Sequence, residues 1–212
     1  TAEVRWFEAD PTYVLHWINA YEDGDEVVLD GFFQHDPSPR KQETSHPHLA
    51  SVYRSLDLEQ LQTRPHRWRF NLVTGETREE DLSDRIMEFG MINGQYGGQP
   101  YRYTYNVTGA PGWFLFDGLV KQDLETGTEA RYAFGDGVFG SETPFAPRLG
   151  ATAEDDGYLV TFTTDVGRDL SECLVFDATA ITSGPIARVR LPERISSGTH
   201  SCWTPSTALP AL

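Results

Sequence analysis

Two histidines and two glutamates could do chemistry together, and His16, Glu88 and Glu142 among them stand in apolar company. His16 lies among Tyr13, Val14, Leu15, Trp17 and Ile18, and an imidazole in apolar company must satisfy two ring nitrogens or bind something. Glu88 sits in "RIMEFGMI", between Met87 and Phe89, and Glu142 in "GSETPFAPRL". His200 follows a Ser-Ser-Gly-Thr turn and precedes Cys202 and Trp203. Glu142 falls 54 positions after Glu88, and His200 falls 58 after Glu142. Buried carboxylates need a compensating partner, and beside imidazoles a metal cation is the natural one. The competing reading is that each residue is separately satisfied by backbone or lies in a surface loop. Spacing and composition leave both readings open.

The elements that must position these residues are strands. Short β-rich runs separated by turn residues fill the chain: "EVVLDGFF", "HRWRFNL", "RIMEFGMI", "YRYTYNV", "GWFLFDGLVKQDL", "ARYAF", "GYLVTFTTD", "CLVFDA" and "IARVRLP". The chain also opens on strand-like sequence, Val4 to Phe7. One helical candidate, Ser51 to Gln62, follows a Pro- and His-rich loop. The fold class is therefore all-β. A faint repeat runs through "WRFNLVTGETREE", "LVKQDLETGTEARYAF" and "LVFDATAITSGPIARVRLP", each a strand, an Asn or Asp, a turn and a return strand. Its markers Asn71, Asp123 and Asp177 are 52 and 54 residues apart. A period near 50 fits a β-propeller blade, roughly 40–50 residues in common blade families. The 212 residues then make about four blades. Residues one blade apart, on equivalent inner strands, would face one axis. Three unrelated hairpins would give the same local pattern.

Composition narrows the class of protein. With 39% hydrophobic and 12% aromatic residues the chain can bury a sizeable core. A net charge of −15 argues against nucleic acid and anionic membrane as partners. No run of about 18 apolar residues predicts a transmembrane helix, and no signal peptide is read at the start. Two cysteines, Cys173 and Cys202, are too few for a disulfide framework, so a reducing, cytoplasmic setting is expected. The absence of an initiating methionine leads us to expect an upstream part.

"RWFEADPTYVLHWINAYEDGDEVVLD", with His16 followed by Asn19, Ala20, Tyr21 and Glu22, resembles the signature of the carotenoid cleavage oxygenases. That family includes retinoid isomerases and stilbene cleavers. "GTHSCW" resembles its closing histidine motif. "MEFGMIN…GQPYRYTYN" and "SETPFAPR…AEDDGYLVTF" resemble its two glutamate motifs. The four matches fall in order over nearly the whole chain.

The resemblance implies a seven-bladed β-propeller, of which residues 1–212 would be the C-terminal part. It also implies an iron(II) on the propeller axis, held by four histidines backed by glutamates. His16 and His200 match two ligands, Glu88 and Glu142 two of the supporting carboxylates, and the remaining ligands would lie upstream. Imidazole suits iron(II), and an incomplete ligand sphere leaves a place for dioxygen. The implied reaction is oxidative cleavage of a carbon–carbon double bond in a carotenoid or apocarotenoid, giving two carbonyl products. It needs no protein acid, base or nucleophile, and the sequence offers none. The rivals are a stilbene-cleaving dioxygenase and an inactive propeller fragment acting as a binding module. The partners implied are an apolar polyene or stilbene and O2, with no nucleic acid and with peripheral membrane contact left to the upstream part.

A tunnel for such a substrate would be aromatic. Phe7, Trp17 and Trp203 are candidates for its lining, although each reads equally well as a core aromatic. His35, His46, His48 and His66 read as surface residues. "EDGDE" and "AEDDG" read as solvated acidic turns without calcium-loop spacing. The sequon at Asn106 reads as chance, and a histidine-only site has no use for Cys202.

Overall fold

The computed structural model describes residues 3–36, 62–109, 115–196 and 199–205. They form three antiparallel meanders of four strands each, in chain order. The first sheet is β1 (Trp17–Asp23), β2 (Glu26–Gln34), β3 (Thr63–Asn71) and β4 (Thr77–Asp81). The second is β5 (Met87–Met91), β6 (Tyr103–Gly109), β7 (Phe116–Asp123) and β8 (Thr128–Ala133). The third is β10 (Phe145–Pro147), β11 (Gly157–Asp165), β12 (Leu170–Asp177) and β13 (Ala187–Arg190), with the short β9 (Val138–Phe139) pairing against β11. Two 3₁₀ turns, Gly94–Tyr96 and Ile181–Ser183, complete the regular structure. Among the described residues no helix is long and apolar enough to cross a membrane.

The repeat read from the sequence is a shared turn. Asn71 Oδ1 accepts from the N–H groups of Val73 and Thr74 at 2.9 and 2.8 Å. Asp123 Oδ1 does the same for Glu125 and Thr126 at 3.1 and 3.3 Å. Asp177 Oδ1 accepts from the N–H and hydroxyl of Thr179 at 2.9 and 2.6 Å. Each marker ends the third strand of its sheet and, by bonding its own backbone two residues on, starts the turn to the fourth.

Three sheets are described where a uniform period predicts about four. The connection between β2 and β3 lengthens the first repeat, and the described residues after β13 add no further sheet. The Val4–Phe7 run is not a strand: residues 3–16 carry no regular secondary structure. Asp10-Pro11 interrupts the run, and the segment is held instead by Phe7 on Phe70 (centroids 5.1 Å apart) and by Thr12 bonded to Gln34. The helical candidate at 51–62, with His46 and His48, lies outside the described residues except for Gln62.

Hydrophobic cores join sheet to sheet. Phe89, Tyr105, Phe116 and Leu119 of the second sheet pack with Phe145, Leu159, Leu174 and Phe176 of the third. Tyr21 and Val28 of the first meet Tyr101, and Phe32 meets Met87 and Val120. The approach is tightest at Gly90, where an added Cβ would lie 2.7 Å from Ile18 Cγ1 and 2.9 Å from Asn106 Oδ1. Gly90→Ala is therefore expected to lower stability by about 1–3 kcal/mol through overpacking. A urea midpoint equal to that of the parent would contradict this.

Polar ties also cross between sheets, and two sequence expectations change here. The turn Glu154–Asp156 is not simply solvated: Glu154 accepts the N–H groups of Arg102 and Tyr103, Asp155 pairs with Lys121 at 2.5 Å, and Asp156 with Arg148 at 2.7 Å. Backbone donors and cations of the neighbouring strands face this turn, so its charges are used up in pairing. His66 is not a surface residue but is buried in β3, its Nδ1 2.7 Å from Asp81 and its Nε2 3.2 Å from Glu79 on β4. His35 is exposed as read. At "EDGDE", Gly24 and Asp25 form a two-residue hairpin turn, with Gly24 at φ 61°, while Glu26 pairs with Arg78 and Arg69.

Candidate metal centre

Three of the four residues singled out by type and spacing, His16, Glu88 and Glu142, lie at the starts of the three sheets, and His200 lies in the segment after the third. His16 immediately precedes β1, and its carbonyl accepts from Phe32 N–H at 3.3 Å. The pairing of β1 with β2 slips by one residue between Trp17 and Asn19. Gly31 opposite leaves room for this, since a Cβ there would lie 2.7 Å from Trp17. Asn19 then ties β1 to the second sheet, bonding Tyr96 O, Gln99 O and Gly98 N–H.

Glu88 lies on β5 at the start of a bulge. It pairs with Val107, whereas Met91 pairs with Tyr105, so one extra residue is accommodated between them. Phe89 adopts φ 51° there, a conformation uncommon for any large side chain and often found at functional sites. Its N–H turns back onto Glu88 Oε2 at 3.0 Å. The same oxygen lies 2.6 Å from His16 Nδ1. Glu88 is only 4% exposed, and its Oε1 has no hydrogen-bond partner.

Glu142 lies just before β10, and its Oε2 is 3.6 Å from His200 Nδ1. That oxygen also accepts the Ser201 N–H at 2.5 Å. The rings of His16 and His200 have centroids 5.2 Å apart at 74°. The Phe89 ring contacts both, at 4.5 and 5.4 Å, and rests on Phe116 at 5.2 Å.

This geometry sets the chemistry of His16. An ionised carboxylate only accepts, so Nδ1 carries the hydrogen and Nε2 keeps the lone pair. The Glu88 hydrogen bond raises the pKa of His16, against the lowering effect of burial, and the charges of Glu88 and Glu142 add to the rise. A ring made more basic toward a proton is also a better metal donor. The fit to a divalent cation rests on three features: a free Nε2, a second imidazole close enough for both to reach one ion at metal–nitrogen distances of about 2 Å, and a buried carboxylate oxygen without a donor. Among the described residues no group of three or more His, Cys, Asp or Glu is arranged to hold a metal. The chain thus brings together two imidazoles, each with a carboxylate on its Nδ1 side.

The three aromatics considered for a tunnel lining have the following surroundings. Phe7 stacks on Phe70, Trp17 meets Trp68 at 5.5 Å, and Trp17 and Trp203 are both half-exposed. The ring that does touch the imidazoles, Phe89, was not singled out from sequence, although Gly90 directly after it marks a break in strand alternation.

Comparison with known proteins shows the family. The family model described as "Retinal pigment epithelial membrane protein" matches residues 1–205. The chain belongs to this family. Among its relatives is a carotenoid cleavage oxygenase of Mycobacterium tuberculosis, 35% identical over 97% of this chain and 40% of that protein. Another is the lignostilbene-alpha,beta-dioxygenase isozyme III of Sphingomonas paucimobilis, 29% identical over 98% of this chain and 44% of that protein. A variant of the Synechocystis apocarotenoid oxygenase superposes with a TM-score of 0.85 and 28% identity, over 96% of this chain and 42% of that one. A cobalt-substituted form gives 0.82 and 27%, over 95% and 41%. The chain therefore spans about two-fifths of the length of these family members. Its three meanders are blades of the family's β-propeller, which these residues do not close.

Proposed function

We propose that this chain supplies two ligands, His16 and His200, to the iron(II) of a dioxygenase that cleaves a carbon–carbon double bond of a carotenoid or apocarotenoid. The observation that carries the reading is the convergence of the two rings, 5.2 Å apart, each with a carboxylate toward its Nδ1. Bound there, the metal would supply dioxygen activation next to an electron-rich alkene. The chain's own residues have narrower tasks. Glu88 fixes the tautomer and tilt of His16 and brings negative charge to a site whose ligands are neutral. Phe89 and Phe116 provide an apolar wall beside the rings, suited to a hydrocarbon substrate and to keeping water out. The carotenoid-cleaving and apocarotenoid-cleaving relatives support this substrate class, and the cobalt-substituted relative supports a divalent metal.

The lignostilbene dioxygenase relative favours a second reading, a phenolic stilbene as substrate. Incubating the complete iron-loaded protein with an apocarotenoid and with a hydroxystilbene, and identifying aldehyde products by mass spectrometry, decides between them. Absence of product from both would leave the binding-module alternative.

Glu88→Gln tests the supporting carboxylate. Its amide oxygen can still accept from His16 Nδ1, but the charge is gone. Iron affinity is expected to fall about 10–100-fold, as is typical when a ligand's hydrogen-bonding partner is changed. An unchanged iron titration would remove Glu88 from the site.

A further inference from the structure

His16 leads into β1, which among the described residues is an edge strand paired only with β2. Glu88, whose Oε2 lies 2.6 Å from His16 Nδ1, belongs to the second sheet. The contact between them therefore depends on how β1 lies against β5 and the connection from β5 to β6. One side chain of β1 grips that connection. Asn19 donates from Nδ2 to the carbonyls of Tyr96 at 3.2 Å and Gln99 at 3.0 Å, and its Oδ1 accepts the Gly98 N–H at 3.0 Å. We infer that Asn19 is a positioning residue: it hooks β1 onto the β5–β6 connection and so holds the His16 ring within reach of Glu88.

The chemistry of the hook suits a carboxamide. Two carbonyls and one N–H call for two donor hydrogens and an acceptor on one short side chain, which a carboxylate or a hydroxyl does not have. Three directional bonds also fix an orientation, whereas apolar contact fixes only an approach. The partner segment is itself held. Tyr96 N–H bonds Asn93 O at 2.9 Å, Gln99 N–H bonds Tyr96 O at 3.0 Å, and Gly98 takes φ 78°, a conformation open to glycine. Asn93 Nδ2 in turn bonds Glu154 O at 2.9 Å, which ties the connection to the third sheet. Between His16 and Asn19 the β1–β2 pairing slips, so β2 does not set this stretch as a regular ladder would. What sets it is the second sheet: His16 meets Glu88, Ile18 lies against Gly90, and Asn19 takes the segment from Tyr96 to Gln99. The same connection makes one other polar tie to the first sheet, from the Tyr101 hydroxyl to Asp30 at 2.6 Å, but that tie ends on β2.

This inference rests on the reading of His16 as a ligand, but its main readout needs no metal. The histidines of the complete metal-free protein are labelled with heavy nitrogen, and the ring nitrogens of His16, assigned by their loss in His16→Ala, are followed by NMR in mildly alkaline buffer. The parent should carry the ring hydrogen on Nδ1, as the contact with Glu88 Oε2 requires. In Asn19→Ala the ratio of the Nδ1–H to the Nε2–H tautomer is expected to fall by about tenfold, because the bond to Glu88 loosens. Asn19→Asp keeps the size and the bond from Gly98 but loses both donors, and should behave like Asn19→Ala. Tyr101→Phe removes the other tie between the same connection and the first sheet, and should leave the ratio within about twofold. An unchanged ratio in Asn19→Ala would overturn the inference, as would an equal fall in Tyr101→Phe, since any tie between the sheets would then serve. If Asn19→Ala does not fold, Asn19→Asp decides by the same ratio. If neither folds, Asn19 is a determinant of the fold, and the narrower role is overturned. Titration of the same proteins with Co²⁺ completes the test, with binding about tenfold weaker expected in Asn19→Ala. A shifted ratio with unchanged cobalt binding would keep the hook and count against His16 as a ligand. An unchanged ratio in a protein that still loses cobalt in His16→Ala would overturn the hook and leave the proposed function standing.

Discussion

His16→Ala and His200→Ala, each made in the complete protein, are expected to lose iron and alkene cleavage together. Each removes one of the two nitrogen donors that this chain brings to the site. The two variants should differ in stability. His16 is the ring partner of a carboxylate that is 4% exposed, and deleting it leaves that charge with one backbone donor. A cost of about 1–3 kcal/mol follows from the unsatisfied buried group. His200 is 66% exposed, and its removal should leave the urea midpoint nearly unchanged. Elemental analysis, turnover and urea denaturation on the same preparations check all of this. Stoichiometric iron in either variant would end its assignment as a ligand.

The part of this site that was legible in the sequence is the part that depends on residue type and period. Strand runs, the turn markers Asn71, Asp123 and Asp177, and the recurrence of Glu88, Glu142 and His200 at nearly one blade all follow from repetition, which survives as spacing. Features that depend on register did not show. The bulge at Phe89 needs β6 opposite to define it, and the extra residue is invisible in "MEFGM" read alone. His66 read as a surface residue because its carboxylate partners, Asp81 and Glu79, sit 13 to 15 residues away on β4. The turn at Glu154–Asp156 looked solvated because Lys121, Arg102 and Arg148 come from other strands. A charge reads as exposed until the strand that neutralises it is placed.

Asp30 is the extreme case of this, and its removal should have the largest effect on stability. In "VVLDGFF" it is a lone carboxylate in a strand that the structure buries completely, 0% exposed. Its cross-strand neighbour on β3 is Arg67, whose Nε and Nη2 bond the two carboxylate oxygens at 2.8 Å each. The Tyr101 hydroxyl, from the connection between β5 and β6, donates to Oδ2 at 2.6 Å. Burial, with the nearby Asp30 charge, holds the Tyr101 phenol well above its ordinary range. Against the lowering effect of burial, the hydrogen bonds and charge of Asp30 raise the pKa of Arg67, so the guanidinium stays charged. Asp30→Ala leaves a largely buried guanidinium and a buried hydroxyl without their acceptor, and a loss of about 3–5 kcal/mol is expected. Tyr101→Phe keeps the ion pair and should cost only about 1 kcal/mol. The informative variant is the double replacement Asp30→Leu with Arg67→Met, which removes both charges and keeps the volume. Because burying two charges costs nearly what their attraction returns, the double variant should recover most of the stability lost in Asp30→Ala. Urea denaturation of the three variants reads the ordering directly. A double variant less stable than Asp30→Ala would mean that the pair contributes net stability to the contact between the first two sheets, beyond satisfying its own charges.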